Sequence, residues 1–82
     1  MTNHQEQSIR SLRQAGSVLR SRRKAHNMTQ KQLSEATGTA QSSISDIEAG
    51  VVSVSLDVYL RLLEALNSEF RVVDRISDMD LT

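Results

Sequence analysis

The run Gln41 to Asp46, QSSISD, carries the side chains of this chain best suited to reading another molecule through hydrogen bonds. Glutamine holds a donor and an acceptor in one plane, which matches the N6 and N7 edge of adenine, and small serines let a backbone come close to what it reads. Gln41 and Ser42 fit such a base-reading role, Ser45 shares their outward side, and Asp46 could accept from a cytosine amino group or be a charge that merely bonds its neighbours. Taken singly, each is an ordinary exposed helical residue, and only their common register gives them weight. No competing chemistry is assembled. There is no acid pair, no nucleophile with a base and no phosphate-cradling glycine loop, and Ser43 or Ser45 with a distant His26 makes no catalytic set, so an enzyme is not expected. With no cysteine, and with His4 and His26 far apart, neither a disulfide, a metal site nor a cofactor is expected.

The residues around this run must position it. Thr29 is an N-cap with Gln32 three residues on, a capping box, and Met28 before the cap and Leu33 inside the helix form a hydrophobic staple. Leu33 and Ala36 are expected to face inward, Thr37 ends the helix, and Gly38 supplies the positive φ of a tight helix-to-helix turn. A second helix follows from Gln41 to Ala49, with Ile44 and Ile47 inward, and Gly50 stops it. Two helices meeting at such a turn place the start of the second in the DNA major groove, while the first crosses the backbone with its N-terminal amides near phosphate. Thr29, Gln30, Lys31, Ser43 and Arg20 then serve the DNA backbone or brace the reader, with Gln30 able to brace Gln41.

Eighty-two residues allow one small core, and with one Phe, one Tyr, no Trp and no Pro that core falls to aliphatic side chains on helices. Upstream, Leu12, Ala15, Leu19 and Arg22, widened by Val18, recur at helical spacing from Ser11 to His26, where Asn27 can close the helix in a left-handed conformation. Gly16 marks either a late start of this helix or a close contact with another. Downstream, residues 51–54 read as a connection, and Ser55 caps a fourth helix with an apolar face of Leu56, Leu60, Leu63, Leu66 and Leu62 that ends at Asn67-Ser68. Val54 and Tyr59 form a second staple. From Glu69 to Ile76, EFRVVDRI, the period drops to two, with Phe70, Val72 and Ile76 on one side and Val73 on the other. A strand without a partner in its own chain leaves its backbone groups unpaired, so pairing with the same strand of a second copy is the economical solution; a fifth short helix is the competing reading.

The formal net charge of zero hides a division. Residues 1–45 hold seven bases against two acids, a net +5, and residues 46–82 hold three bases against eight acids, a net −5. One end can face phosphates while the other repels them. The apolar runs fall short of a membrane span and the first residues are too polar for a secretory signal, which predicts a cytoplasmic protein with no membrane partner.

LRSRRKAHNMTQKQLSEATGTAQSSISDIEAG, followed by SLDVYLRLLEALN, resembles the phage-repressor and Cro-like helix-turn-helix family over about residues 15 to 67. That resemblance implies Gln41, Ser42, Ser45 and Asp46 at base-facing positions, and an Arg23 to Glu48 ion pair between the first helix and the end of the reading helix. Ala40 departs from the family's usual capping serine, which predicts that the reading helix starts one residue early with Thr39 as its cap. The terminal strand makes the architecture similar to the Hip-type antitoxins, which implies a homodimer on an inverted repeat of double-stranded DNA and a kinase-like toxin as second partner. A phage-type switch repressor or a restriction-modification controller without a toxin is the alternative. The expected architecture is thus mainly α, a four-helix repressor-like domain over 11–67 and a dimerisation strand over 68–76 (Phe70, Val72, Val73, Ile76), between flexible ends at 1–10 and 77–82.

Overall fold

The computed structural model describes residues 6–75, so Ile76, the tail beyond it and the first five residues, His4 among them, lie outside the description. Four helices follow one another: α1 (Leu12–Ala25), α2 (Gln30–Thr37), α3 (Gln41–Ala49) and α4 (Leu56–Ala65). The starts of three are written in the sequence as hydroxyl caps. Ser11 accepts from the Gln14 amide, Thr29 accepts from the Gln32 amide while Gln32 Oε1 accepts from the Thr29 amide at 2.8 Å, and Ser55 accepts from the Val58 amide. Each satisfies a donor that the first helical turn leaves unpaired. The expected cap at Thr39 is not formed. α3 starts after Ala40, with no side-chain cap, and the Thr39 hydroxyl is buried without a partner among the described residues.

Asn27 and Asn67 adopt positive φ after α1 and α4, and Gly38 and Gly50 do so after α2 and α3. Residues 51–54 are a connection, as their position between two helices requires. α1 packs chiefly on α3, and α2 bridges α3 and α4. The core consists of Ala15, Leu19, Leu33, Ile44, Ile47, Tyr59, Leu62, Leu63 and Leu66, with Ile9, Met28 and Val54 against it.

Four expected core positions turn outward. Leu12 is 45% exposed, Leu56 64% and Leu60 42%, and Ala36 is exposed as well. On α4 the stripe Tyr59, Leu62, Leu63 and Leu66 faces the core in place of one running through Leu56 and Leu60. Tyr59 makes the difference, because its ring fills the core while its hydroxyl donates to the Ala15 carbonyl at 2.7 Å. On α2 the residue four past Leu33 is the half-buried one: Thr37 is accommodated by donating to the Leu33 carbonyl at 2.8 Å, which leaves Ala36 outside.

Glu69 to Arg75 shows no strand in the single chain. All seven residues are exposed, and none makes a backbone hydrogen bond to another described residue. Neither the expected strand nor the competing fifth helix is therefore formed within residues 69–75 of one chain.

Candidate nucleic-acid interface

The glycine of α1 lets the reading helix sit where it does. A Cβ on Gly16 would stand 2.6 Å from the Glu48 carbonyl oxygen, so only glycine lets α1 cross the last turn of α3 at this distance. Of the two readings open for Gly16, the close helix contact is the correct one. The same crossing brings Arg23 beneath α3. Its Nε donates to Glu48 Oε2 at 2.7 Å and its Nη2 to Oε1 at 3.0 Å, a two-point fork, while Nη1 donates to the Met28 carbonyl at 2.7 Å. The side chains of the pair are 9% and 4% exposed. The bond to Glu48 holds the Arg23 guanidinium above its ordinary pKa against the opposing effect of burial, so the arginine stays charged.

Gln30 completes this clamp. Its Nε2 donates to Glu48 Oε1 at 3.1 Å, so it braces the acid and not Gln41 as the sequence suggested. One carboxylate thereby ties α1 and α2 to the end of α3, and the same arginine holds the α1–α2 turn through the Met28 carbonyl. Ile44 and Ile47 anchor the other side of α3 in the core. Gln41, Ser42, Ser43, Ser45 and Asp46 are left exposed, and none spends its side chain on a hydrogen bond within the described residues. Ser42, Ser45 and Asp46 fall in one row at helical spacing, with Gln41 at the leading end.

Arg20 lies beside this face, in a shallow cleft shared with Arg23, Gln30, Ser45, Glu48 and Ala49. Thr29 and Lys31 are exposed at the start of α2. Phe70, Val72 and Val73 are not part of the face; they belong to the exposed terminal segment, with Phe70 stacked obliquely on Tyr59 at 5.5 Å between ring centroids. Sequence reasoning missed the tie between Arg22 and Ser68, whose Oγ accepts from Arg22 Nε at 3.0 Å and so holds the end of α4 to α1. It also left Arg22 on an apolar stripe; the only available signal was a base at a position that helical spacing turns inward.

Two helices at a glycine turn, the second clamped at its end and polar along its free side, define a helix-turn-helix nucleic-acid reader. The helix-turn-helix family model matches residues 19–73, and the chain belongs to that family, in its Xre-like form. It is a DNA-binding regulator of that type. Among solved structures, the HipB-O4 20mer complex has a TM-score of 0.75 at 25% identity, covering 84% of this chain and 97% of that one. The complex of a HipB variant with an O2 20mer has a TM-score of 0.76 at 24% identity, covering 85% and 97%. The clp gene regulator ClgR from C. glutamicum has a TM-score of 0.67 at 29% identity, covering 78% and 83%. No curated protein matches the sequence.

Proposed function

We propose that this chain is a homodimeric transcriptional repressor that reads an inverted repeat through α3, and that it is the antitoxin of a toxin-antitoxin pair, repressing its own operon and binding a kinase-like toxin. The observation that carries the DNA-reading part is the free polar side of a helix whose end is clamped through three hydrogen bonds from Arg23 and Gln30 to Glu48. In this reading Gln41, Ser42, Ser45 and Asp46 meet base edges. Thr29, Lys31, Ser43 and Arg20 serve the phosphates, and Gln30 keeps α2 and α3 in one rigid head. One head covers few bases, so the terminal segment pairs two of them, with Phe70, Val72, Val73 and Ile76 as its apolar residues. The antitoxin part is supported by the likeness to HipB, which extends over most of both chains and was solved with 20mers.

Selection of bound sequences from random DNA tests the first part. The expected product is two half-sites whose centres lie about 34 to 36 Å apart. Gln41→Ala should lose base preference at one position in each half-site and weaken binding by roughly 1 to 3 kcal/mol; an unchanged preference removes Gln41 from the readers. Co-purification with the product of a neighbouring reading frame tests the second part, and failure to capture any such protein removes the antitoxin role. The reading that would then remain is the alternative, a phage-type switch repressor or a restriction-modification controller without a toxin partner.

A further inference from the structure

The terminal segment carries more than a tendency to pair; its charges single out a register. Glu69 to Arg75 is exposed throughout, Val72 completely so, and among the described residues neither Glu69 nor Arg75 is in an ion pair. This inference rests on the homodimer reading above. An antiparallel ribbon built on a two-fold axis perpendicular to it keeps each side chain on its own face. Directly opposed residues must then come from the same face, and one residue must oppose its own copy. Four centres keep at least five of residues 69–76 paired: Arg71, Val72, Val73 and Asp74.

Two of these fail at once, because they set Arg71 against the partner's Arg71 or Asp74 against the partner's Asp74, and like charges directly opposite destabilise a ribbon. Centring on Val73 sets Arg71 against the partner's Arg75 twice over. Centring on Val72 sets Glu69 against the partner's Arg75 twice, and Val72 against its own copy. Between the last two, the first register places two repulsive pairs where the second places two attractive ones. The Val73 register offers Phe70 opposite position 76 in return, but Phe70 already stacks on Tyr59 and has less surface left to gain. We infer that the partner of this segment is a second copy of the chain, paired antiparallel about Val72, with reciprocal Glu69–Arg75 ion pairs fixing the register.

The chain has no cysteine, so a single introduced thiol reports the register cleanly. In the full chain Val72→Cys should become a disulfide-linked dimer on treatment with diamide, which takes up the two electrons and two protons from the paired thiols. Val73→Cys should not, because its two copies would stand diagonally, about 7 to 8 Å apart. Arg75→Glu should weaken dimerisation about tenfold in sedimentation equilibrium, and the exchanged pair Glu69→Arg with Arg75→Glu should restore it. Cross-linking at position 73 and not 72, or a tighter dimer from Arg75→Glu, overturns the register while leaving the dimer standing. A wild-type chain that stays monomeric at concentrations where it binds operator overturns the homodimer reading and the register with it.

Discussion

Glu48 is an acid held at the end of the helix proposed to read DNA, and its three hydrogen bonds explain how it is tolerated there. An almost fully buried carboxylate forked onto an arginine contributes little over a well-packed apolar pair, but removing one partner strands the other charge. Glu48→Ala should therefore lose roughly 3 to 5 kcal/mol in urea unfolding, and replacing Arg23 and Glu48 together by apolar residues should lose less than either single change. A loss below about 1 kcal/mol, the range of exposed pairs, would contradict the buried clamp. Tyr59 offers a pH test at the same scale. Burial pushes its hydroxyl up to about 12 from an ordinary 10. A raised folded-state value means that the stability is fully present below pH 10 and is lost as the pH climbs from 10 through 12. Stability should fall there by at most about 1.4 kcal/mol per pH unit from this group, and Tyr59→Phe should flatten that part of the profile.

At the scale of elements, the relation of α1 to α3 decides whether the reading helix is presented at all. Gly16→Ala would gain helix propensity, about 1 kcal/mol in an exposed helix, yet its methyl has nowhere to go but into the backbone of α3. Rigid carbonyls cannot swing aside as a flexible side chain would. Overpacking should win, with a net loss of roughly 1 to 3 kcal/mol in thermal unfolding and weaker operator binding as α3 shifts. Gly38 has the opposite character, because its φ of +73° demands glycine while the space around it is open. Substitution there strains the turn without pushing the helices apart. The Ser11 cap of α1 was not foreseen, whereas the hydroxyl caps of α2 and α4 were legible because a cap depends on residues three apart in sequence. The bare start of α3 was misread for the same reason: Thr39 has the right chemistry for a cap, but the turn buries its hydroxyl.

For the molecule as a whole, the division of charge becomes a division of surfaces. Arg20 borders the reading face, whereas Asp57, Glu64 and Glu69, against the single base Arg61, line the groove between α4 and the terminal segment together with Leu60 and Phe70. In the proposed complex phosphates would attract the first side and be repelled from the second, orienting the approach to DNA. Operator affinity should fall steeply with salt, log K against log salt descending by about 0.9 for each phosphate neutralised. Arg20→Ala should reduce that slope by about one without altering base preference. A changed preference with an unchanged slope would move Arg20 from the phosphates to the bases.

The helices, the capping box, the left-handed Gly38 and Gly50, and the inward Ile44 and Ile47 were all determined by the sequence, because each depends on neighbours within one or two turns. Which of two apolar stripes on α4 would be buried was not, since Leu56 and Leu60 differ from Leu62 and Leu66 only in what stands opposite them. Only the tertiary structure decided that, through a tyrosine hydroxyl reaching a carbonyl on α1. It likewise turned Gln30 from a brace for Gln41 into a brace for Glu48, because a side chain's partner is set by how helices cross and not by spacing along the chain.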